Sequence, residues 1–336
     1  MVLFYIFLLV IIILILTYIL KKNDMFSGEI SHPFFKDPEQ NSLNFLWSRG
    51  LTKKNMYTMV NENRVRKKLI LNQLEEDIVW IRTTGKAKEE YCDLDYFSES
   101  LENIKNDIIL VTSDGIKSIP SDLKKSTFDK IINCPKIKRW YTQNYDGTVQ
   151  HEKLKNYPIG FDLHTTRSFF GIPLKILPSQ PASSKINYLL QIRKKLNQKY
   201  NKIFVDVHLN QHNIFNNERK RVKDILYNSQ NCNFLNRGVD QKSIWKKYSE
   251  HKFVISAFGM GLDCHRTWEC LFLGAIVIVK KSSLDPLYKN LPVVILDDWD
   301  ECLDSKNLER WEKEYGHLTQ YEHLNKFFTY DYWIKQ

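Results

Sequence analysis

The stretch Phe253 to Val279, FVISAFGMGLDCHRTWECLFLGAIVIV, reads as strand, glycine-containing loop, helix and strand. Phe253, Val254 and Ile255 open an apolar run that ends in Ser256, Ala257, Gly259 and Gly261. Asp263, His265, Arg266, Thr267 and Glu269 follow, and Ala275 to Val279 closes the unit. Continuous apolar runs are typical of parallel strands buried on both faces, and the short helix between them fits a βαβ crossover. Ligands of open α/β sheets sit at the carboxyl ends of strands, against helix N-termini. The free N–H groups and positive dipole end of this helix would suit a phosphate.

His265 and Glu269 are four residues apart, Arg266 and Glu269 three, so all three lie near one helical face. Arg266 and His265 could neutralise a diphosphate, and Glu269, one turn deeper, could accept hydrogen bonds from two ribose hydroxyls. A plain surface ion pair between Arg266 and Glu269 has the same spacing, and such pairs are common and weak.

GLDCHRTWECLFLGAIVIV, followed by SSLDPLYKNLPVVILDDWDE, resembles the C-terminal half of exostosin-like glycosyltransferases of the GT-B type. In that family a helix bearing R-x-x-E or H-R-x-W-E precedes L-x-L-G-x-I-x-I-V and then L-P-V-V-x-x-D-D-W. The match is strongest over residues 253–301, with scattered upstream similarity in IVWIRT (Ile78–Thr83), ILVTSDG (Ile109–Gly115) and YPIGFDLHT (Tyr157–Thr165). The loop AFGMG departs from the more polar glycine loop of the family. The resemblance implies two Rossmann-like doubly wound α/β domains facing a cleft, a nucleotide-sugar donor, and a saccharide or glycoprotein acceptor. It makes Glu269 the ribose-binding carboxylate and Arg266 the phosphate-binding cation, beside His265, Gly259 and Gly261. No cofactor beyond the donor substrate is implied.

The chain has 336 residues, enough for two α/β domains after an N-terminal segment is set aside. Hydrophobic content of 43% and charged content of 26% are ordinary for a globular protein. A net charge of +10 suits an anionic donor or a membrane surface. There is no arginine-rich block or aromatic-basic repeat, so no nucleic-acid partner is expected. The absence of G-x-x-x-x-G-K-[ST] argues against a P-loop enzyme.

Val2 to Leu20 is an uncharged apolar run ending at Lys21 and Lys22. As a helix it spans about 28 Å, close to the hydrocarbon core of a bilayer. It lacks the basic start and small-residue cleavage site of a signal peptide, which favours a retained single-pass signal anchor. Endomembrane residence follows from the resemblance. The side of the catalytic body stays open: Lys21 and Lys22 and the lack of any Asn-x-Ser/Thr site favour the cytosol, while many relatives are lumenal.

The sequence divides into an anchor (1–22), a stem (23–50), an acceptor-side domain (51–178) and a nucleotide-sugar domain (179–336), with the boundary in a Pro- and Ser-rich stretch. Strands are predicted at Asp77–Ile81, Asp107–Thr112, Lys138–Thr142 and Lys202–Val207. A base for inverting transfer would come across the cleft from the N-terminal domain. Asp114, in a glycine turn after DIILVT, and His164, in a neighbouring loop, are the catalytic candidates. Asp93-Leu94-Asp95 spells a metal-binding D-x-D but follows no apolar strand, and His208 and His212 lack a third ligand, so no metal is expected. The six cysteines show no C-x-x-C and read as free thiols. The competing reading is a catalytically inactive saccharide- or nucleotide-binding module of the same fold.

Overall fold

A computed structural model describes residues 45–48, 78–83, 93–163, 182–209, 214–235 and 238–334. The stretch read as an anchor, His164 and His212 lie outside the described residues. So do most of the stem and of the proposed domain boundary. Among the described residues no helix is long and apolar enough to cross a membrane.

The N-terminal sheet has four parallel strands in the order β1-β2-β3-β4: Ile78–Arg82, Ile108–Ser113, Ile137–Thr142 and Leu154–Asn156. Helices α1 (Asp93–Ser98) and α2 (Lys125–Asn133) pack on it. After α3 (Ala182–Ile192) the chain builds a second parallel sheet from β5 (Tyr200–Val205), β6 (Cys232–Phe234), β7 (His251–Ile255), β8 (Ile276–Lys280) and β9 (Val293–Leu296). Its helices are α4 (Asn216–Leu226), α5 (Gln241–Glu250), α6 (His265–Phe272) and α7 (Ser305–Tyr315), followed by α8 (Tyr321–Leu324) and α9 (Tyr330–Ile334).

The second sheet runs β6-β5-β7-β8-β9. The chain moves one way from β5 to β6, then returns to the other side for β7. That reversal is the switch point at which doubly wound sheets open a ligand crevice. The doubly wound expectation is met here. Among the described residues the N-terminal sheet instead adds its strands in one direction only, so it has no switch point of its own.

Strand side chains alternate between two cores. In the N-terminal sheet Val79, Ile81 and Leu110 face Leu94, Phe97 and Ile131, while Trp80, Val111 and Tyr141 face a second cluster. That second cluster also takes Phe204, Val254 and Val277 from the other sheet, so one continuous core joins the two halves. The C-terminal aromatics Phe327, Phe328, Tyr330 and Trp333 belong to it. The Tyr141 hydroxyl donates to the Ile334 carbonyl at 3.1 Å, and the Leu46 N–H donates to the Phe328 carbonyl at 2.8 Å. Trp333 meets Trp268 of α6 edge-on at 5.6 Å.

Candidate functional site

The carboxyl ends of both sheets border a cavity of about 700 Å3. From the N-terminal side come Arg82, Asp114, Gly115, Gln143 and Asp162; from the C-terminal side Asp206, His208, the loop from Gly259 to Cys264, and His265, Arg266 and Glu269 of α6.

Arg266 is largely buried, its side chain 12% exposed, and its Nε lies 2.6 Å from Asp206 Oδ1 and 3.1 Å from the Tyr248 hydroxyl. Tyr248 in turn donates to Asp206 Oδ2 at 2.6 Å. Burial alone would lower the pKa of Arg266, but Asp206 and Tyr248 outweigh it and raise it, so the guanidinium stays charged. Its Nη1 is buried without a hydrogen-bond partner, and Arg266 borders the cavity. Arg219 stands nearby, its Nε donating to the Phe258 carbonyl at 2.7 Å and its Nη1 to the His208 carbonyl at 2.8 Å. Burial and then the repulsion of Arg266 depress the pKa of Arg219. Burial also depresses His208, and Arg266 and Arg219 add to that depression while Asp206 opposes it. Two arginines and a histidine thus crowd the switch point, with Asp206 as the counter-charge. Cys264, the residue before α6, makes no side-chain cap, and its N–H donates to the Asp263 carboxylate at 2.8 Å.

Glu269 is 5% exposed, and its Oε1 accepts the Asp162 N–H at 3.2 Å. Burial raises its pKa, and the Asp162 carboxylate raises it further. Arg266 pairs with Asp206 and Glu269 is buried, so the plain surface pair between Arg266 and Glu269 does not form. His265 Nδ1 bonds the Gly160 carbonyl at 2.8 Å. Asp263 Oδ2 accepts the Ile159 N–H at 2.7 Å, and its carboxylate also takes the Cys264 N–H and Trp268 Nε1. The segment Ile159–Asp162 is therefore held by α6 and its approach at three points. Burial pushes Asp263 up to about 6 despite these donors.

The Asp263 N–H donates to Asn144 Oδ1 at 2.8 Å, a second tie between the halves. It explains Gly261, where a Cβ would lie 2.5 Å from Asn144 Nδ2. Gly259, also on the cavity wall, donates its N–H to the Gly261 carbonyl at 3.0 Å. Asp114 has φ +60° and sits 8% exposed at the end of β2. Its Oδ2 lies 2.8 Å from Arg82 Nε, and its N–H donates to Gln143 Oε1 at 3.0 Å. Gly115 follows because a Cβ there would collide with the Thr83 carbonyl at 1.5 Å.

The structure thus brings Glu269, Arg266, His265, Gly259, Gly261 and Asp114 to one cavity, and His164 lies outside the described residues. Asp93 and Asp95 are buried in α1, where Thr127 donates to Asp95, rather than standing at a strand end. Among the described residues no group of His, Cys, Asp and Glu could hold a metal ion. Asp206, Tyr248, Arg219, Asp162 and Asp263 were not singled out from sequence. Asp206 ends the apolar run IFV as Ser113 and Asp114 end IILVT, so the strand-end rule could have found it.

No family model and no curated protein matches the sequence. Solved structures do. A UDP-forming α,α-trehalose-phosphate synthase from Burkholderia xenovorans aligns at 12% identity over 74% of this chain and 68% of its own, with a TM-score of 0.39. The E. coli trehalose-6-phosphate protein bound with UDP-2-fluoro glucose aligns at 12% over 76% and 69%, TM-score 0.37. An α1,3-fucosyltransferase aligns at 15% over 75% and 71%, TM-score 0.34. These neighbours are glycosyltransferases of the GT-B type, not specifically exostosin-like ones. At such scores the superpositions are loose, and the functional reading rests on the cleft.

Proposed function

We propose that the protein is a glycosyltransferase that takes a nucleotide-sugar in the cleft and passes its sugar to a saccharide or glycoprotein acceptor. The observation that carries this reading is the switch-point wall. Arg266 and His208 line the cavity there with Arg219 next to them, and the carboxylate of Glu269 lies one turn along α6. A cationic patch followed by a carboxylate is the complement of a diphosphate followed by a ribose. Arg266 and Arg219 would meet the diphosphate without a metal ion, with His265 and the Gly259–Gly261 loop shaping the entry. Glu269 would accept the ribose hydroxyls. Asp114, or His164, would take the acceptor proton. The exostosin-like assignment, the anchor at residues 2–20 and endomembrane residence belong to the same proposal.

Calorimetry on the detergent-extracted full chain tests it with UDP and GDP against uridine and guanosine. Glu269→Gln should weaken the preferred diphosphate by about ten- to a hundredfold, the cost of a charge-assisted hydrogen bond of roughly 1.5–3 kcal/mol. Arg219→Ala should weaken the diphosphate far more than the nucleoside. Equal losses for both ligands would remove the phosphate assignment, and no binding of any nucleotide would remove the reading. Asp114→Asn should leave donor affinity unchanged and cut transfer by about 10²–10⁴-fold, the usual contribution of a general base. A near-normal rate would move that role to His164 or elsewhere.

A further inference from the structure

A second cavity, of about 670 Å3, lies at the free edge of the C-terminal sheet, beside β6. Its walls carry aromatic rings and hydrogen-bonding groups. Tyr200 and Tyr227 are 62% and 61% exposed, unusual for large aromatic side chains. Neither ring is loose: Tyr200 meets His251 at 5.5 Å, and Tyr227 meets Phe234 edge-on at 5.4 Å. His251 is itself fixed at both nitrogens, by the Lys247 carbonyl at 2.8 Å and by Asn233 Nδ2 at 2.9 Å. Lys247 Nζ lies 3.5 Å from Glu250 Oε2, so the charges on this wall cancel.

We propose that this groove is a binding site for a neutral saccharide chain. A pyranose offers apolar C–H faces and a rim of hydroxyls. The rings of Tyr200, Tyr227 and Phe234 match the faces, and the amide of Asn233 and the carboxylate of Glu250 match the hydroxyls, while His251 only holds Asn233 and the Tyr200 ring in place. The cancelled charge disfavours a phosphate or an acidic glycan. The rings are held before any ligand arrives, which limits the ordering cost of binding. Leu235 borders both this groove and the donor cleft, which places the two cavities next to each other. As an outer subsite for the acceptor, the groove rests on the glycosyltransferase reading; as a saccharide site it stands without it.

The test uses the detergent-extracted full chain with the cleft saturated by UDP or GDP. The probes are neutral hexasaccharides of glucose, of xylose and of N-acetylglucosamine, followed by saturation-transfer NMR and calorimetry. At least one hexasaccharide should bind. Tyr200→Ala and Tyr227→Ala should each weaken it by about tenfold, the scale of an interfacial aromatic anchor. Tyr227→Phe should retain most of the affinity, and nucleotide affinity should not change in any variant. Both tyrosines are more than half exposed, so the alanine variants should melt like the parent. The proposal is overturned if no hexasaccharide binds at millimolar concentration, or if binding ignores both alanine variants. It is also overturned if an unglycosylated valine-threonine octapeptide binds here and the saccharides do not, which would assign β6 to protein strands. Failure of UDP and GDP to bind would sink the cleft reading and leave the groove's result intact.

Discussion

At the strand ends of the N-terminal sheet the ion pair of Arg82 with Asp114 is partly open to water; at those of the C-terminal sheet the pair of Arg266 with Asp206 is more enclosed and sits among further cations. Asp114 is paired with Arg82, and Gln143 takes the Asp114 N–H and donates to the Gly115 carbonyl at 2.9 Å. Across the cleft Arg266, Arg219 and His208 crowd together, and Arg219 and His208 are depressed, by burial first and then by the neighbouring cations. The difference follows from topology. A sheet that adds strands in one direction leaves its loops side by side, where they bond laterally. A sheet that reverses at β5 and β7 parts its loops and leaves a crevice for their charges to line.

The largest expected effect would break this contrast outright. Arg266→Ala strands Asp206, 4% exposed, as an unpaired buried charge, and should cost about 3–5 kcal/mol in denaturant unfolding. Arg82→Ala removes a partly exposed partner and should cost about 1–3 kcal/mol, the range for leaving a buried polar group unsatisfied. Equal costs would show that both sheet ends carry charge in the same way.

A second test concerns pH. The folded pKa of Asp263, about 6, lies above the 3.8 of the unfolded chain, so the fold disfavours the ionised form. The stabilisation from the protonated group is complete below about pH 3.8 and lost as pH rises through about 6. At roughly 1.4 kcal/mol per pKa unit, this amounts to about 3 kcal/mol at most. Asp263→Asn should flatten the stability profile between pH 4 and 6 relative to the parent. An unchanged slope would mean that another group sets it.

The smallest effect sharpens the contact between the halves. Gly261→Ala forces a methyl against Asn144, whose amide already holds the Asp263 N–H and the Gly115 carbonyl. Overpacking of this kind should cost about 1–3 kcal/mol by thermal melting. Asn144→Ala in the same chain should recover part of the loss. Additive costs would mean that the two residues do not press on each other.

Much of the fold was legible. Strands β1, β2, β3, β5, β7 and β8 are apolar runs with polar ends, and period and composition found each within a few residues. The three-residue strands β4 and β6 carry too little pattern to be seen. At the site, helical spacing brought out His265, Arg266 and Glu269 because they share one face. Their partners were not legible, since they lie far along the chain. The Arg266 contact to Asp206 spans 60 residues and the Asp263 contact to Ile159 spans 104. Local periodicity does not encode which distant strand end will meet a helix. The D-x-D motif shows the converse: Asp93 and Asp95 have the spelling of a metal site, but a helical backbone turns Asp95 toward Thr127.

The aromatic tail from Leu324 to Ile334 completes the core that Trp80, Val111 and Tyr141 begin. During synthesis that face therefore stays incompletely covered until residues almost two hundred positions beyond Tyr141 have left the ribosome. Such a chain calls for chaperone cover while it is made. Its halves, expressed apart, should each be insoluble, yet should reconstitute one particle when produced together.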